Sequence, residues 1–368
     1  MNLLFVSPES VEKSSTFVKR QAVWLSPQGI LYGGYRPYRY NGKSVFPFPL
    51  RLGIVRILLK RVAPPLYVRL YNKALFRFLK TRNFDVVLCQ FGTQGANIAD
   101  ACHKATVPLV VHFHGYDAFV YKTITEFAAA YRTMFEKAAR IIVVSEAMQK
   151  QLIKLGAPVE KLILRPCGVD TTMFTNAKPS ASEKILLFVG RFTAKKDPVS
   201  LLKAFHYARQ TVPDARLVMI GKGELHQLVL KTVEALQLQH SVEISGWQKP
   251  EEIARRMQQA RAYVQHSVFA PNGDSEGSPV AIMEAAGSGL PVISTRHAGI
   301  RESVIEGVTG YLVDEGDWQG MGKYMIKLLN EPETAAKMGA AGRQHIVKHY
   351  DIRQQMEKIQ KVLEEVKK

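Results

Sequence analysis

What most restricts the fold of this chain is a repeated alternation of short apolar runs, rich in β-branched residues, with longer stretches of helical periodicity. Residues 3–7, 85–89, 108–112 and 140–145 read as buried strands, and the segments between them read as helices. Runs apolar throughout, rather than at every second residue, suit a parallel sheet covered by helices on both faces. A polar, proline-containing linker at 175–182 interrupts the pattern, and further runs follow at 184–189, 215–220, 242–245, 262–265 and 291–294. The pattern predicts an α/β protein of two Rossmann-like domains facing across a cleft, over residues 1–175 and 176–345. A terminal helical pattern runs from about 334 to 368, its last part, 346–368, forming a separate C-terminal helix.

Composition narrows the class. A chain of 368 residues with 46% hydrophobic and 22% charged residues has enough apolar material for two ordinary cores. No apolar run approaches the roughly 18 residues of a membrane span, and the run at 3–6 is too short for a signal peptide and lacks its basic flank. A cytoplasmic location is expected. Cys89, Cys102 and Cys167 are far apart with no Cys-x-x-Cys pair, which fits a reducing compartment and buried, unpaired thiols. The net charge of +18 is uneven, because residues 1–175 hold 24 Lys and Arg against 10 Asp and Glu. Between Arg36 and Arg82 there are 12 Lys and Arg and no acid, interleaved with Phe46, Phe48, Ile54, Val55, Ile57, Leu58 and Leu59. Such a cationic, amphipathic stretch predicts peripheral contact with an anionic membrane surface. No zinc-finger, RRM-type or helix-turn-helix signature accompanies it, so nucleic acid is not the expected polyanion.

Several segments carry chemistry. In Glu276-Gly-Ser-Pro-Val-Ala-Ile-Met-Glu284, Pro279 suits a first helical position and Ser278 an N-cap, giving a helix from about 279 to 287. Glu276 then lies in the preceding loop and Glu284 in the second turn, bracketing a helix start whose amides, at Ser278 and Val280, suit a phosphate. The run at 186–189 ends in Gly190 and is followed by Arg191, Lys195 and Lys196, a cationic turn at the carboxyl end of a parallel strand. Gly221 follows another strand and fits a tight turn lining a nucleotide pocket, and the Gly246–Trp247 pair follows a further strand as a turn.

Other combinations fit their motifs poorly. His112, His114 and Asp117, at the end of the 108–112 strand, could be metal ligands, but only the two histidines share one face of a strand and a third ligand at the right distance is unassigned, so no metal is expected. Gly273-Asp-Ser275-Glu-Gly277 has the spacing of a hydrolase nucleophile elbow, yet a loop precedes the serine and the helix starts too late.

Together these segments resemble glycosyltransferase family 4, the retaining, nucleotide-sugar-dependent enzymes of the GT-B fold. The resemblance rests on Gly190-Arg191-Phe192 with Lys195-Lys196-Asp197, on Glu276-Gly-Ser-Pro through Glu284-Ala-Ala, and on Gly289-Leu-Pro-Val292. It rests also on Gly307-Val-Thr-Gly-Tyr-Leu-Val313 and on Cys167-Gly168-Val169-Asp170 with Phe174. It implies that Arg191 and Lys196 hold the donor diphosphate, Glu284 the ribose hydroxyls, and that Glu276 lies beside the transferred sugar. His114 would contact the sugar near the reaction centre, Asp117 would position the acceptor or the histidine, and Gly246–Trp247 would lie near the nucleobase. The first domain would bind acceptor and the second donor, with the C-terminal helix crossing back to the first. The implied reaction moves a hexose from a UDP- or GDP-sugar to a hydroxyl of a lipid-linked or polysaccharide acceptor without a metal cofactor.

The sequence also departs from the family pattern. A Gly-Gly pair common in the first acceptor loop is replaced by Ser7-Pro8-Glu9-Ser10, with Ser14-Ser15-Thr16-Phe17 beyond, and Ala298 stands where a second glycine is common. His297 beside it has no role implied. The alternatives are an epimerase or phosphorylase on the same architecture, or a polyanion-binding protein that has lost catalysis. The last should lack an intact set of Arg191, Lys196, Glu276 and Glu284, and all four are present.

Overall fold

The computed structural model describes residues 1–13, 16–33, 38–46 and 52–368. Ser14 and Ser15 of the first loop, and Arg36, Phe48, Arg51 and the Lys60 side chain of the basic stretch, lie outside the described residues. The chain forms two compact units, one of residues 1–165 with 356–368 and the other of 166–355. The polar stretch at 175–182, read above as a linker, lies inside the second unit.

The first unit is built on an eight-stranded sheet of β1 (Leu3–Ser7), β2 (Gly29–Tyr32), β3 (Arg39–Tyr40), β4 (Lys43–Ser44), β5 (Val86–Gln90), β6 (Leu109–His112), β7 (Arg140–Val143) and β8 (Leu162–Leu164). Its order is β4-β3-β2-β1-β5-β6-β7-β8, parallel from β2 to β8 and antiparallel at the β2-β3-β4 edge. Strands β1 and β5 are buried along their whole length, which is why they read as continuous apolar runs. The β3–β4 hairpin turns on Asn41 and Gly42, both with positive φ, the two-residue turn whose twist matches its flanking strands. Residues 356–368 pack here with Met356, Ile359, Val362 and Leu363 inward, and Lys368 donates its amide to the Asp85 carbonyl. That is the apolar stripe of a helix of 3.6 residues per turn.

The second unit holds a six-stranded, all-parallel sheet of β9 (Ile185–Val189), β10 (Arg216–Ile220), β11 (Val242–Ser245), β12 (Ala262–Val264), β13 (Val292–Thr295) and β14 (Gly310–Val313). The order β11-β10-β9-β12-β13-β14 reverses direction between β9 and β12. Loops leaving two strands at such a point part to opposite faces and open a crevice at the carboxyl ends, where open α/β sheets bind ligands. Leu186, Phe188, Leu217, Met219 and Val264 supply one buried face of this sheet, against which the Pro198–Thr211 and Trp318–Asn330 helices pack Leu201, Phe205, Met321 and Leu328. Each such side chain stabilises the unit by about 1.5–3 kcal/mol.

Candidate active site

In the second unit the crevice begins with the turn after β9. Gly190 N–H bonds the Ile220 carbonyl and Gly221 N–H bonds the Ser245 carbonyl, so the turns after β9, β10 and β11 are laced edge to edge. A Cβ at Gly221, where φ is +148, would lie 1.9 Å from the Gly190 carbonyl oxygen, which restricts the position to glycine. Arg191 points into solvent, whereas Lys196, at the end of the short 3-10 turn Ala194–Lys196, is largely buried. Asp197 then caps the Pro198–Thr211 helix by accepting from Ser200 N–H, and its carboxylate also meets His266 Nδ1 at 3.2 Å.

The loop after β12 supplies the opposite wall. Lys196 Nζ lies 3.1 Å from Glu276 Oε1 and donates to Gln265 Oε1 at 3.1 Å. Gln265, fully buried, also accepts from the Tyr263 hydroxyl at 2.9 Å and donates to Ser267 Oγ at 2.8 Å. Burial alone would raise the Glu276 pKa, but the nearby ammonium groups of Lys196 and then Lys195 outweigh it and hold the carboxyl at about 2. Burial pulls the Lys196 ammonium below its usual value, with Glu276 pushing it back up. The Tyr263 phenol is raised by burial and further by the charges of Glu276 and Glu284.

The helix of the acid-rich motif spans Val280–Ser288, one residue later than expected, with Pro279 in the capping position. Ser278 is not the side-chain cap, because its hydroxyl accepts from Cys167 N–H at 3.3 Å. Val280 N–H turns back to the Ser278 carbonyl at 2.9 Å, so the first-turn amides without an in-helix acceptor are those of Ala281 and Ile282. Glu284 is buried in the second turn, as expected. Gly246 approaches the Lys222 side chain, and Trp247 is 78% exposed.

The loop carrying Glu276 has a second anchor. His297 Nε2 lies 2.9 Å from Ser275 Oγ and accepts the Glu276 N–H at 3.2 Å, while its Nδ1 lies 2.6 Å from Glu315 Oε1. An Nε2 that accepts a backbone N–H carries no proton, so the imidazole donates from Nδ1 to Glu315. These separations are those of a serine–histidine–acid relay. Burial decides against a nucleophile, since Ser275 and His297 are both 0% exposed and no strand leads directly into the serine. The network instead fixes the backbone at Glu276.

In the first unit, His114 follows β6. Its Nε2 lies 2.7 Å from Gln90 Oε1, Gln90 Nε2 donates to Gln21 Oε1 at 2.5 Å, and Gln21 Nε2 meets His112 Nδ1 at 3.3 Å. Because each amide must donate through nitrogen, the relay assigns the His114 proton to Nε2 and leaves Nδ1 as an acceptor. Burial, with His112 adding to it, keeps the His114 pKa well below its usual value, and burial lowers His112 to about 3, so both rings are neutral at pH 7. Asp117 is fully buried and accepts from the backbone N–H groups of Gly92, His114 and Gly115 at 2.8–3.1 Å. Its carboxylate therefore ties the turns after β5 and β6 together and does not face the imidazoles as a metal ligand would. Among the described residues no group of three His, Cys, Asp or Glu side chains is placed to hold a metal ion.

Two family models match this chain in sequence, Glycosyltransferase Family 4 over residues 34–173 and Glycosyl transferases group 1 over residues 170–345. The chain belongs to glycosyltransferase family 4. This family-4 chain is 31% identical over 249 residues to the amylovoran biosynthesis glycosyltransferase AmsK of Erwinia amylovora, covering 66% of the chain and 61% of that protein. It is 30% identical over 237 residues to the putative colanic acid biosynthesis glycosyltransferase WcaL of Escherichia coli, covering 63% and 58% respectively. The matches thus span about six-tenths of these curated relatives. In fold, it superposes on Anabaena HepE in complex with UDP-glucose with a TM-score of 0.75 at 18% identity, over 99% of both chains. The GT-B architecture follows from that superposition and the two parallel sheets.

Gln265, Tyr263, Glu315, Gln90 and Gln21 were not singled out by sequence reasoning, and His297 was singled out without a role. Gln265 directly follows an apolar run, and His297 lies two residues past the end of a strand, positions that mark the carboxyl edge of a sheet, whereas nothing local distinguishes Gln21, which lies on the Thr16–Leu25 helix.

Proposed function

We propose that this chain is a retaining glycosyltransferase moving a hexose from a UDP- or GDP-sugar to a hydroxyl of a lipid-linked or polysaccharide acceptor. The observation that carries the reading is the buried Lys196–Glu276 pair beside exposed Arg191 at the switch point of the second sheet. Arg191, Lys196 and the free amides at the start of the Val280–Ser288 helix take the donor diphosphate, and Glu284 takes the ribose hydroxyls. Gly190 and Gly221 let the backbone approach the nucleotide, with Gly246–Trp247 near its base. The second unit is then the donor-binding domain and the first the acceptor-binding domain.

Negative charge grows on the diphosphate as the glycosidic bond breaks, and the cations of Arg191 and Lys196 stabilise it there. The acceptor hydroxyl oxygen bonds the anomeric carbon on the same face, and its proton leaves with the departing diphosphate. Glu276 and the His114 Nδ1 lone pair orient the sugar, with no covalent intermediate and no metal cofactor. The names of AmsK and WcaL, both polysaccharide-biosynthesis glycosyltransferases, and the UDP-glucose bound by HepE support the substrate classes.

A peripheral membrane location, at the inner face of an anionic membrane, is the second part of the reading. It is supported by Ile54, Ile57, Leu58 and Val62, all more than half exposed on one short helix, beside exposed Arg61. No described helix is long and apolar enough to cross a membrane. Thermal-shift screening with UDP-, GDP- and ADP-sugars tests the donor, since a ligand at 100 times its dissociation constant adds about 2.7 kcal/mol of stability. A flat response to all three at millimolar concentration would overturn the reading.

A further inference from the structure

The first unit carries a second concave surface at the opposite end of its sheet from His114. A groove of about 900 Å3 is bounded by the β3–β4 hairpin on one side and the Pro64–Lys80 helix on the other. Asn41 on its rim exchanges hydrogen bonds with Ile30 near the start of β2, and Thr81 and Arg82 lie just before β5 begins. The groove therefore opens at the amino ends of the parallel strands, whereas His114 and Gly92 follow carboxyl ends. It is separate from the site described above.

Its lining is chemically one-sided. Lys43, Lys73, Arg77 and Arg82 all face it, and among the described residues no carboxylate does. Among the described residues none of these four is in an ion pair, although cations elsewhere are neutralised, as in Lys184–Asp214, Arg256–Glu243 and Arg296–Glu306. Four unneutralised like charges around one concavity repel one another, and a bound anion relieves that repulsion. The floor is rigid, because Phe46 and Phe78 are almost fully buried and Tyr40 packs edge-on against Phe78 at 5.1 Å between centroids. Arg82 lies over both rings of that pair, its guanidinium carbon 4.5 Å from the Phe78 centroid and 5.1 Å from that of Tyr40. Stacking holds the plane and leaves the N–H edge for hydrogen bonds to an anion. Asn41 adds a neutral amide beside the cations, while the Thr81 hydroxyl donates to the Arg77 carbonyl at 3.0 Å and the Ser44 hydroxyl to that of Phe46.

We propose that this groove binds a phosphate ester, its charged oxygens held by Arg77, Arg82, Lys43 and Lys73 and its less polar part lying on the aromatic floor. The volume is that of a small-molecule site. The phosphate can come from a soluble diphosphate or from a lipid headgroup, and the two are separated by experiment. This inference does not depend on the transferase reading.

Calorimetric titration with inorganic pyrophosphate should show two binding events on the wild-type chain. Arg77→Gln with Arg82→Gln should weaken one of them at least tenfold, two cations each contributing about a fivefold factor near an anionic group. Arg191→Ala should weaken only the other, so failure of the transferase reading and failure of this one are told apart. Lys43→Gln with Lys73→Gln is a second variant pair on exposed side chains and guards against misfolding of the first, with melting temperature as the control. Sedimentation with phosphatidylcholine vesicles containing phosphatidylglycerol forms the lipid arm. Loss of the pyrophosphate event alone supports a soluble phosphate ester, and loss of vesicle binding in both variant pairs supports a lipid headgroup. Unchanged pyrophosphate and vesicle binding in both pairs overturns the proposal and makes the groove a solvated basic face.

Discussion

Replacing Lys196 by alanine should damage stability and turnover together, and the two losses should be separable. Glu276 is only 6% exposed, and its carboxyl is held at about 2 rather than near 4.5. At 1.36 kcal/mol per pKa unit, the folded state favours the ionised form by about 3 kcal/mol net of desolvation. Lys196 is the foremost cause of that depression, so its removal strands a buried carboxylate, a change that costs about 3–5 kcal/mol when nothing else compensates. Lys195 compensates in part, which puts the expected loss near 3 kcal/mol, or roughly 6–12 °C in melting temperature for a unit of this size. Turnover should fall at least a hundredfold, about 2.7–4 kcal/mol, from the lost charge at the leaving group. Adding Glu276→Gln should restore most of the stability, because no unpaired charge remains, while leaving turnover low. Urea unfolding at pH 7 and nucleotide release from the true donor measure the two quantities. A double variant no more stable than Lys196→Ala would refute the argument. The sign of the pH dependence is fixed as well, since a depressed carboxyl contributes stability above its unfolded pKa and loses it as pH falls from about 4.5 toward 2. Glu276→Gln should flatten that part of the wild-type acid limb.

Glu284→Ala should weaken nucleotide binding by calorimetry at least tenfold with little change in melting, and unchanged affinity would remove the ribose assignment. Glu315→Gln keeps the volume but weakens the hold on His297, and it should lower turnover more than donor affinity, whereas a proportional loss of both would make the network merely structural. Gln90→Leu breaks the relay to His114 and should reduce turnover about tenfold or more without moving the second unit's nucleotide affinity, which a kcat against KM comparison checks. Ile54→Ser with Ile57→Ser, and separately Arg56→Gln with Arg61→Gln, should each reduce sedimentation with anionic vesicles, the second in a salt-dependent way. Equal binding by wild type and both pairs would remove the membrane contact.

The parallel core was largely legible because its strands are buried on both faces. The expected run at 3–7 matches β1, that at 242–245 matches β11, and the others shift by a residue or two at their ends. What escaped was β2, the two-residue strands β3 and β4, the three-residue β8, and β14. The last was quoted only as a motif. Strands as short as β3 and β4 bury too few residues to stand out in a periodicity, although the Asn41–Gly42 pair between them was a hairpin signal in plain view. At the helix start, Ser278 followed by Pro279 looked like a cap, but the hydroxyl found a better partner 111 residues away in Cys167 N–H. Residue type singled out Lys196, Glu276 and Glu284 as candidates, since charged groups at strand ends and helix starts are visible locally. It could not identify Gln265, Glu315 or Gln90, whose importance lies in distant partners.

Those distant partners explain how a loop can hold the Glu276 carboxylate without regular structure. The Glu276 side chain is fixed by Lys196, and Lys196 in turn by Gln265, which is gripped by Tyr263 and Ser267. The Glu276 amide is fixed independently by His297, whose ring is set by Glu315, itself accepting the Phe269 N–H at 3.0 Å. Buried polar networks of this kind are costly when partly satisfied and rigid when complete, so the two anchors should reinforce one another. Side-chain and backbone anchors meet at a single residue, and variants Gln265→Leu and His297→Ala should therefore be non-additive. If Glu276 is held by either anchor alone, each single variant will retain much of its turnover while the pair loses far more than the product of the two losses. If both are required, the double variant will be little worse than the weaker single one, and a double-mutant cycle on turnover reads the difference directly.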